Sequence, residues 1–170
     1  MSAQWEKKDY QVSTDLQRLD LDIIHGYLTT SSWAAGIDRE TVALSVANSL
    51  CFGLYHQARQ IGFARMVTDF ATFGYLCDVF VLPAHQGAGL GRFLVECTVN
   101  HPRLQRLRRQ LLLTSTAPWL YQKVGYEPVN RQDYAWTFVR KDIYNTDVYS
   151  ADIYNKDIYN TDVYNTGAVS

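Results

Sequence analysis

The stretch Val79-Phe80-Val81-Leu82-Pro83-Ala84-His85-Gln86-Gly87-Ala88-Gly89-Leu90-Gly91-Arg92 constrains the fold more than any other part of the chain. Its apolar opening reads as a buried strand, and Pro83 stops it. Three glycines follow, and then an amphipathic helix over 89–100 that must end before Pro102. A buried strand that enters a helix through a glycine turn belongs in a layered sheet-and-helix architecture. The helix N-terminus presents unpaired N–H groups and a partial positive charge, which suit an anion. Glycine supplies φ > 0 and lets the backbone approach phosphate oxygens closely. Arg92 adds a cation at the same end. Two familiar phosphate loops are excluded. No Gly-Lys-Ser/Thr follows, and Gly87, Gly89 and Gly91 are spaced G-x-G-x-G rather than G-x-G-x-x-G. The glycines alone are also what an ordinary strand-to-helix turn carries.

The rest of the first 141 residues alternates strand and helix signals. Strands are predicted over 8–13, 50–55, 60–68, 73–82, 110–114, 126–129 and 134–140, and helices over 20–30, 39–49, 89–100 and 117–124. Thr14 or Asp15 is placed to cap a further helix from Leu16. The order implies an α/β fold, a mixed sheet flanked by helices. Cys51, Cys77 and Cys97 are widely spaced in apolar segments and read as reduced core thiols, with no metal-ligand spacing.

From Asp142 the character changes. DIYNT, DVYSA, DIYNK, DIYNT and DVYNT form a five-residue unit repeated five times. A period of five matches neither strand nor helix. It resembles a pentapeptide solenoid, but five units make barely one turn, so a flexible or loosely packed tail is expected over 142–170. The division is also electrostatic. Residues 1–141 hold 15 basic and 12 acidic side chains, whereas the tail holds Lys156 against five aspartates. The net charge of −1 gives no argument for nucleic acid or a membrane surface. No apolar run approaches the roughly 18 residues of a membrane span, and the polar first ten residues do not read as a signal peptide. A cytoplasmic location is the expectation.

Gln86-Gly87-Ala88-Gly89-Leu90-Gly91 resembles the Q/R-x-x-G-x-G/A pyrophosphate loop of the GCN5-related N-acetyltransferases (GNATs). A second stretch, Thr114-Ser115-Thr116-Ala117-Pro118-Trp119-Leu120-Tyr121-Gln122-Lys123-Val124-Gly125-Tyr126, is similar to that family's N-x-x-A-x-x-L-Y-x-K-x-G-F signature. The likeness spans about residues 8–141. Within the family, Tyr27-Leu28-Thr29-Thr30 with Trp33, and Phe63-Ala64-Arg65 with Thr68-Asp69, resemble a bacterial subgroup of unassigned substrate. The resemblance implies the acyl-CoA N-acyltransferase fold, with acetyl-CoA held where two central parallel strands splay. Val79, Phe80 and Val81 would face the pantetheine arm with their backbone. Gln86, Gly87, Ala88, Gly89, Leu90 and Gly91 would wrap the pyrophosphate, with Arg92 nearby. Thr114 stands where the family often has Asn. The implied partner is a small-molecule or peptide amine, without metal, and a homodimer is compatible with the pattern.

Acetyl transfer to an amine needs a neutral amine, a polarised thioester carbonyl and a proton for the departing thiolate. By the same resemblance, Tyr121 is the catalytic candidate for that proton, and its alternative is a core aromatic beside Leu120 and Val124. Asp78 is the other catalytic candidate. By strand alternation it shares a face with Leu76 and Phe80. It could take the amine proton, hold the substrate ammonium, or simply pair with Arg65 or another arginine. Asp69 is a weaker candidate for the base. A Cys97 acyl-enzyme is disfavoured, because the cysteine falls inside a helix. The arginines at 103, 106, 108 and 109 read as a solvated face around a turn. Two other readings stay open: a catalytically weak acyl-CoA-binding module, and a repeat-bearing interaction protein.

Overall fold

In the computed structural model the described residues are 2–137, 139 and 144, and their helices and strands all lie in the unit Met1–Trp136. Six strands form one sheet: β1 (Gln4–Lys7), β2 (Tyr10–Ser13), β3 (Leu50–His56), β4 (Arg59–Thr68), β5 (Phe73–Val81) and β6 (Arg109–Leu111). They lie in chain order across the sheet. All neighbours are antiparallel except β5 and β6, which run parallel. The helices are α1 (Leu21–Leu28), α2 (Arg39–Ala47), α3 (Leu90–Val99) and α4 (Pro118–Gln122).

The helix starts follow from short polar caps. Asp20 accepts from the N–H groups of Asp22 and Ile23 at the head of α1, and Asp38 accepts from that of Thr41 at the head of α2. The helix expected from Leu16 is a single 3-10 turn, Leu16–Arg18, capped by Asp15. The first strand expected over 8–13 is a hairpin instead. Lys8 takes φ 55° and turns the chain between β1 and β2. Trp5, whose ring lies 6.1 Å from Phe52, is the only bulky apolar residue of β1, too little to reveal a strand.

One face of the sheet packs against α3. Met66, Leu76, Leu94, Val95 and Cys97 meet there, and each is at most 3 % exposed. Each such aliphatic side chain contributes about 1.5–3 kcal/mol by leaving water. On the other face α1 approaches β4, and Tyr27 stacks on Phe80 with ring centroids 3.9 Å apart. Among the described residues no helix is long and apolar enough to cross a membrane.

The strands expected over 126–129 and 134–140 do not form among the described residues, while Phe138 and Arg140 lie outside them. A strand needs a neighbour to take its backbone hydrogen bonds. Here the polar tips act locally: Arg109 Nη2 donates to the Tyr134 hydroxyl at 2.5 Å, and Trp136 Nε1 to the Asp133 carbonyl at 2.8 Å.

Two features of β5 shape the site. Phe73, Gly74 and Tyr75 pair with Arg109, Gln110 and Leu111, and beyond them the parallel strands part. From Leu76 to Val81, β5 has no strand on that side among the described residues. The second feature is a bulge. Between the pairs Arg65–Cys77 and Phe63–Phe80, β5 advances three residues while β4 advances two. The extra residue is taken up where Asp78 sits at φ 52°. The bulge corrects the face expected from alternation. Leu76 lies opposite Met66 on the α3 face, while Phe80 lies opposite Phe63 on the α1 face, and Asp78 joins Phe80 rather than Leu76.

Candidate active site

The glycine loop closes β5 and opens α3. Leu82 donates its N–H to the Ile61 carbonyl at 2.8 Å, and a 3-10 turn, Pro83–His85, follows. The Gln86 side-chain amide donates to the Val81 carbonyl at 2.8 Å, so this residue braces the loop onto β5. Gly87 and Gly89 take φ 83° and 72°, and a Cβ at either would meet nothing within 4 Å. Conformation rather than space therefore calls for glycine at both. Gly89 is the N-cap of α3 and has no side-chain capping bond. The first helical bond runs from Phe93 N–H to the Gly89 carbonyl. Consequently the N–H groups of Gly87, Ala88, Gly89, Leu90, Gly91 and Arg92 have no acceptor among the described residues. No acidic side chain stands in the first turn. Such a run of aligned donors is a ready anion seat. Arg92 is engaged with Glu96 at 2.7 Å along the helix, so its charge is shared there.

A Cβ at Gly91 would lie 3.8 Å from Leu120 Cδ2, which brings α4 against the first turn of α3. The next residue along α4 is Tyr121, half-buried, with its ring 6.1 Å from that of Tyr126. The two phenols differ. Tyr126 donates to Gln110 Oε1 at 3.1 Å, whereas the Tyr121 hydroxyl makes no hydrogen bond among the described residues. Burial pushes both upward. Tyr126, with Tyr121 as a second cause, reaches about 12. Tyr121 is therefore a protonated phenol at neutral pH. Thr114 accepts from the Ala117 N–H at 3.3 Å and so shapes the turn into α4.

On the α1 face, Arg65 Nε donates to Asp78 Oδ2 at 2.5 Å, and the Trp33 indole N–H donates to Oδ1 at 3.2 Å. Arg65 Nη1 also donates to the Ser49 hydroxyl at 3.1 Å. Burial opposes the Arg65 charge, but the Asp78 carboxylate beside it prevails and holds the guanidinium above its ordinary value. Trp33 stands on the loop between α1 and α2. Ser31 organises that loop by donating to the Leu28 carbonyl at 2.7 Å and accepting from the Ala34 N–H at 3.2 Å.

The other candidates have structural employment. Asp69 accepts from the Thr72 hydroxyl and from the N–H groups of Thr72, Ala71 and Phe73, which hold its carboxyl well below the usual range. Burial pushes the Cys97 thiol to about 12, which removes it as a nucleophile at neutral pH. Arg103 lies over the Phe70 ring at 3.6 Å, and all four arginines of the cluster are exposed. In the sequence Tyr27 and Trp33 stand only as family markers. Their part in the site comes from the fold. Arg65, a cation inside an otherwise apolar strand, is the signal that a carboxylate must meet it.

Comparison with known proteins adds independent support. Residues 47–128 match the family described as Acetyltransferase (GNAT) domain. A Gibberella zeae protein named a putative acetyltransferase is 35% identical, over 70% of this chain and 79% of that one. A Xanthomonas campestris crystal structure, named a putative acetyltransferase of the GNAT family, is 40% identical with a TM-score of 0.77. It covers 81% of this chain and 97% of its own. A Clostridium acetobutylicum structure, named a predicted acetyltransferase with acetyl-CoA, shares the fold at 15% identity and a TM-score of 0.55. It covers 82% of this chain and 96% of its own.

Proposed function

Because the chain belongs to the GNAT acetyltransferase family, we propose that it moves an acetyl group from acetyl-CoA to the amine of a small molecule or peptide, by direct attack in a ternary complex. The observation that carries this reading is the run of six N–H groups at the head of α3 that have no acceptor among the described residues. It lies at the end of the strand whose far half has no β6 partner. Those donors suit the pyrophosphate of a CoA thioester. The unpaired edge at Val79, Phe80 and Val81 suits the amides of the pantetheine arm.

In the proposed reaction the amine nitrogen bonds to the thioester carbonyl carbon, and the carbon–sulfur bond breaks. The amine gives up a proton, and the departing thiolate gains one. Tyr121 is the proposed donor of the second proton. Burial keeps it protonated, and its hydroxyl makes no hydrogen bond among the described residues. Gln86 is assigned to bracing the loop and Thr114 to the α4 turn, both at the margin of the cofactor site. We assign the chemistry to residues 1–141, with the repeats of 142–170 outside it. The Xanthomonas relative supports a place in the bacterial subgroup. Thiols raised to about 11 or 12, buried at Cys51 and Cys97 and half-buried at Cys77, suit a reducing cytoplasm.

The test is incubation with acetyl-CoA and a broad amine panel while free CoA thiol is measured, alongside calorimetric titration of acetyl-CoA. Amine-dependent thiol release supports transfer. Tight binding with no release by any amine would replace the enzyme with an acyl-CoA-binding module.

A further inference from the structure

Three independent facts converge on Asp78. The register of β4 and β5 slips by one residue around it. Its backbone lies in the left-handed region at φ 52°. Its carboxylate is held from two directions, by Arg65 of β4 and by Trp33 of the loop between α1 and α2. A non-glycine residue with φ > 0 inside a strand is uncommon and carries a conformational cost, so something around it must hold it there. The holding group here is Arg65, which also reaches Ser49 at the head of β3 and so ties three strands together. The Arg65 and Asp78 side chains are 19 % and 10 % exposed, so removing one leaves the other charge poorly solvated.

The position matters because a bulge bends its strand and increases the local twist. This one lies just past the point where β5 leaves β6, and directly before Val79, Phe80 and Val81. Resting on the acetyl-transfer reading above, we infer that Arg65 is a positioning residue for the reaction: it clamps Asp78 in the bulge and thereby sets the course of the β5 edge that meets acetyl-CoA. Asp78 acts through its backbone conformation and its salt bridge, not as the base.

Glycine separates the two roles, because it adopts φ > 0 without a clamp. The full chain is compared with Asp78→Ala, Asp78→Gly, Arg65→Met and the double variant Arg65→Met with Asp78→Gly. The readouts are acetyl-CoA affinity by calorimetry, kcat with its pH profile, and a thermal melt. Releasing a strained non-glycine backbone predicts that Asp78→Ala and Arg65→Met weaken acetyl-CoA binding and kcat by roughly 10- to 100-fold. Asp78→Gly recovers most of the Asp78→Ala loss, and the double variant most of the Arg65→Met loss, with unchanged pH profiles. If Asp78→Ala does not melt cooperatively, Arg65→Met against the double variant makes the same comparison.

A proton-accepting Asp78 gives the opposite pattern. Alanine and glycine then lose kcat alike by about 10²–10⁴-fold, and glycine at 78 rescues neither the Asp78→Ala nor the Arg65→Met loss. That result overturns the clamp while leaving acetyl-CoA binding by the unaltered chain in place. Failure of the unaltered chain to bind acetyl-CoA overturns the reading beneath it and the clamp with it.

Discussion

The two halves of β5 have the same amino-acid character and opposite surroundings. Gly74 and Tyr75 are paired on both sides, with β4 and with β6. Beyond them the strand keeps β4 but loses β6, acquires a bulge, and runs into a loop whose six successive N–H groups have no partner among the described residues. Backbone donors near a core are costly to leave unmet, so a protein keeps such a run only where water or a ligand completes it. The paired half is architecture. The other half, paired with β4 alone, is where we propose that acetyl-CoA lies, and its edge stays open among the described residues because β6 ends at Leu111.

Substitutions sharpen that contrast in order of expected size. Gly89→Glu puts a carboxylate at the head of α3. Repulsion at about 4 Å and an effective dielectric near 20 amounts to roughly 4 kcal/mol. Strain of about 1–3 kcal/mol at φ > 0 further displaces the donors. Acetyl-CoA affinity is expected to fall by roughly four orders of magnitude, and calorimetry on the folded variant reads it. Unchanged affinity would move the pyrophosphate seat elsewhere.

Tyr121→Phe keeps the ring and removes the proton, so kcat is expected to drop about 10²–10⁴-fold with little change in acetyl-CoA affinity. Tyr126→Phe is its control, since that phenol serves Gln110. In the wild type the alkaline limb of kcat should lie above the ordinary tyrosine value of about 10, because burial raises Tyr121 and only the protonated phenol donates. Wild-type kcat in Tyr121→Phe, with chemistry limiting, would return this tyrosine to the core.

The paired side should answer in stability rather than activity. Leu76→Ala removes a side chain 2 % exposed against α3, at a cost of about 2–5 kcal/mol. Denaturant melts measure that loss, and the acetyl-CoA affinity of the folded fraction should stay level. A parallel collapse of affinity would mean the two halves are not separable. Truncation after Lys141 is expected to do least. Ion pairs between a basic body and acidic repeats are worth about 0–1 kcal/mol each when exposed. A melt and an acetyl-CoA titration of the shortened chain should nearly match those of the whole. A lost cooperative melt would draw the repeats into the fold.

Much of the fold is legible in the residues. The glycines at 87 and 89 announce their φ values, because a tight strand-to-helix turn asks for them there. Asp20 and Asp38 mark helix starts, and β3, β4 and β5 are recognisable by their apolar runs, whereas β6 covers Arg109–Leu111 rather than the expected 110–114 and leaves Leu113 69 % exposed. The β1 strand is hidden because Trp5 alone carries its burial signal. Apolar alternation at 126–129 and 134–140 suggests strands, but it says nothing about an available ladder partner. The face of Asp78 is concealed for a similar reason. Alternation assumes one residue per step on both strands, and a bulge breaks that count without leaving a mark in the residues themselves.

What residue identity determined by itself was local: which segments are apolar enough to be strands, where φ > 0 is tolerated, where a cap stands, and that a carboxylate inside an apolar strand, Asp78, calls for a partner. These depend on the chemistry of a few neighbouring residues. The tertiary structure alone decided that β6 releases β5 after Leu111, that Arg65 and Trp33 meet on one carboxylate, and that among the described residues the Tyr126 hydroxyl has a partner and the Tyr121 hydroxyl has none. The two bonds to that carboxylate join residues 13 and 45 positions apart. Their encounter is set by the packing of the whole sheet against its helices, and no short stretch of sequence encodes that packing.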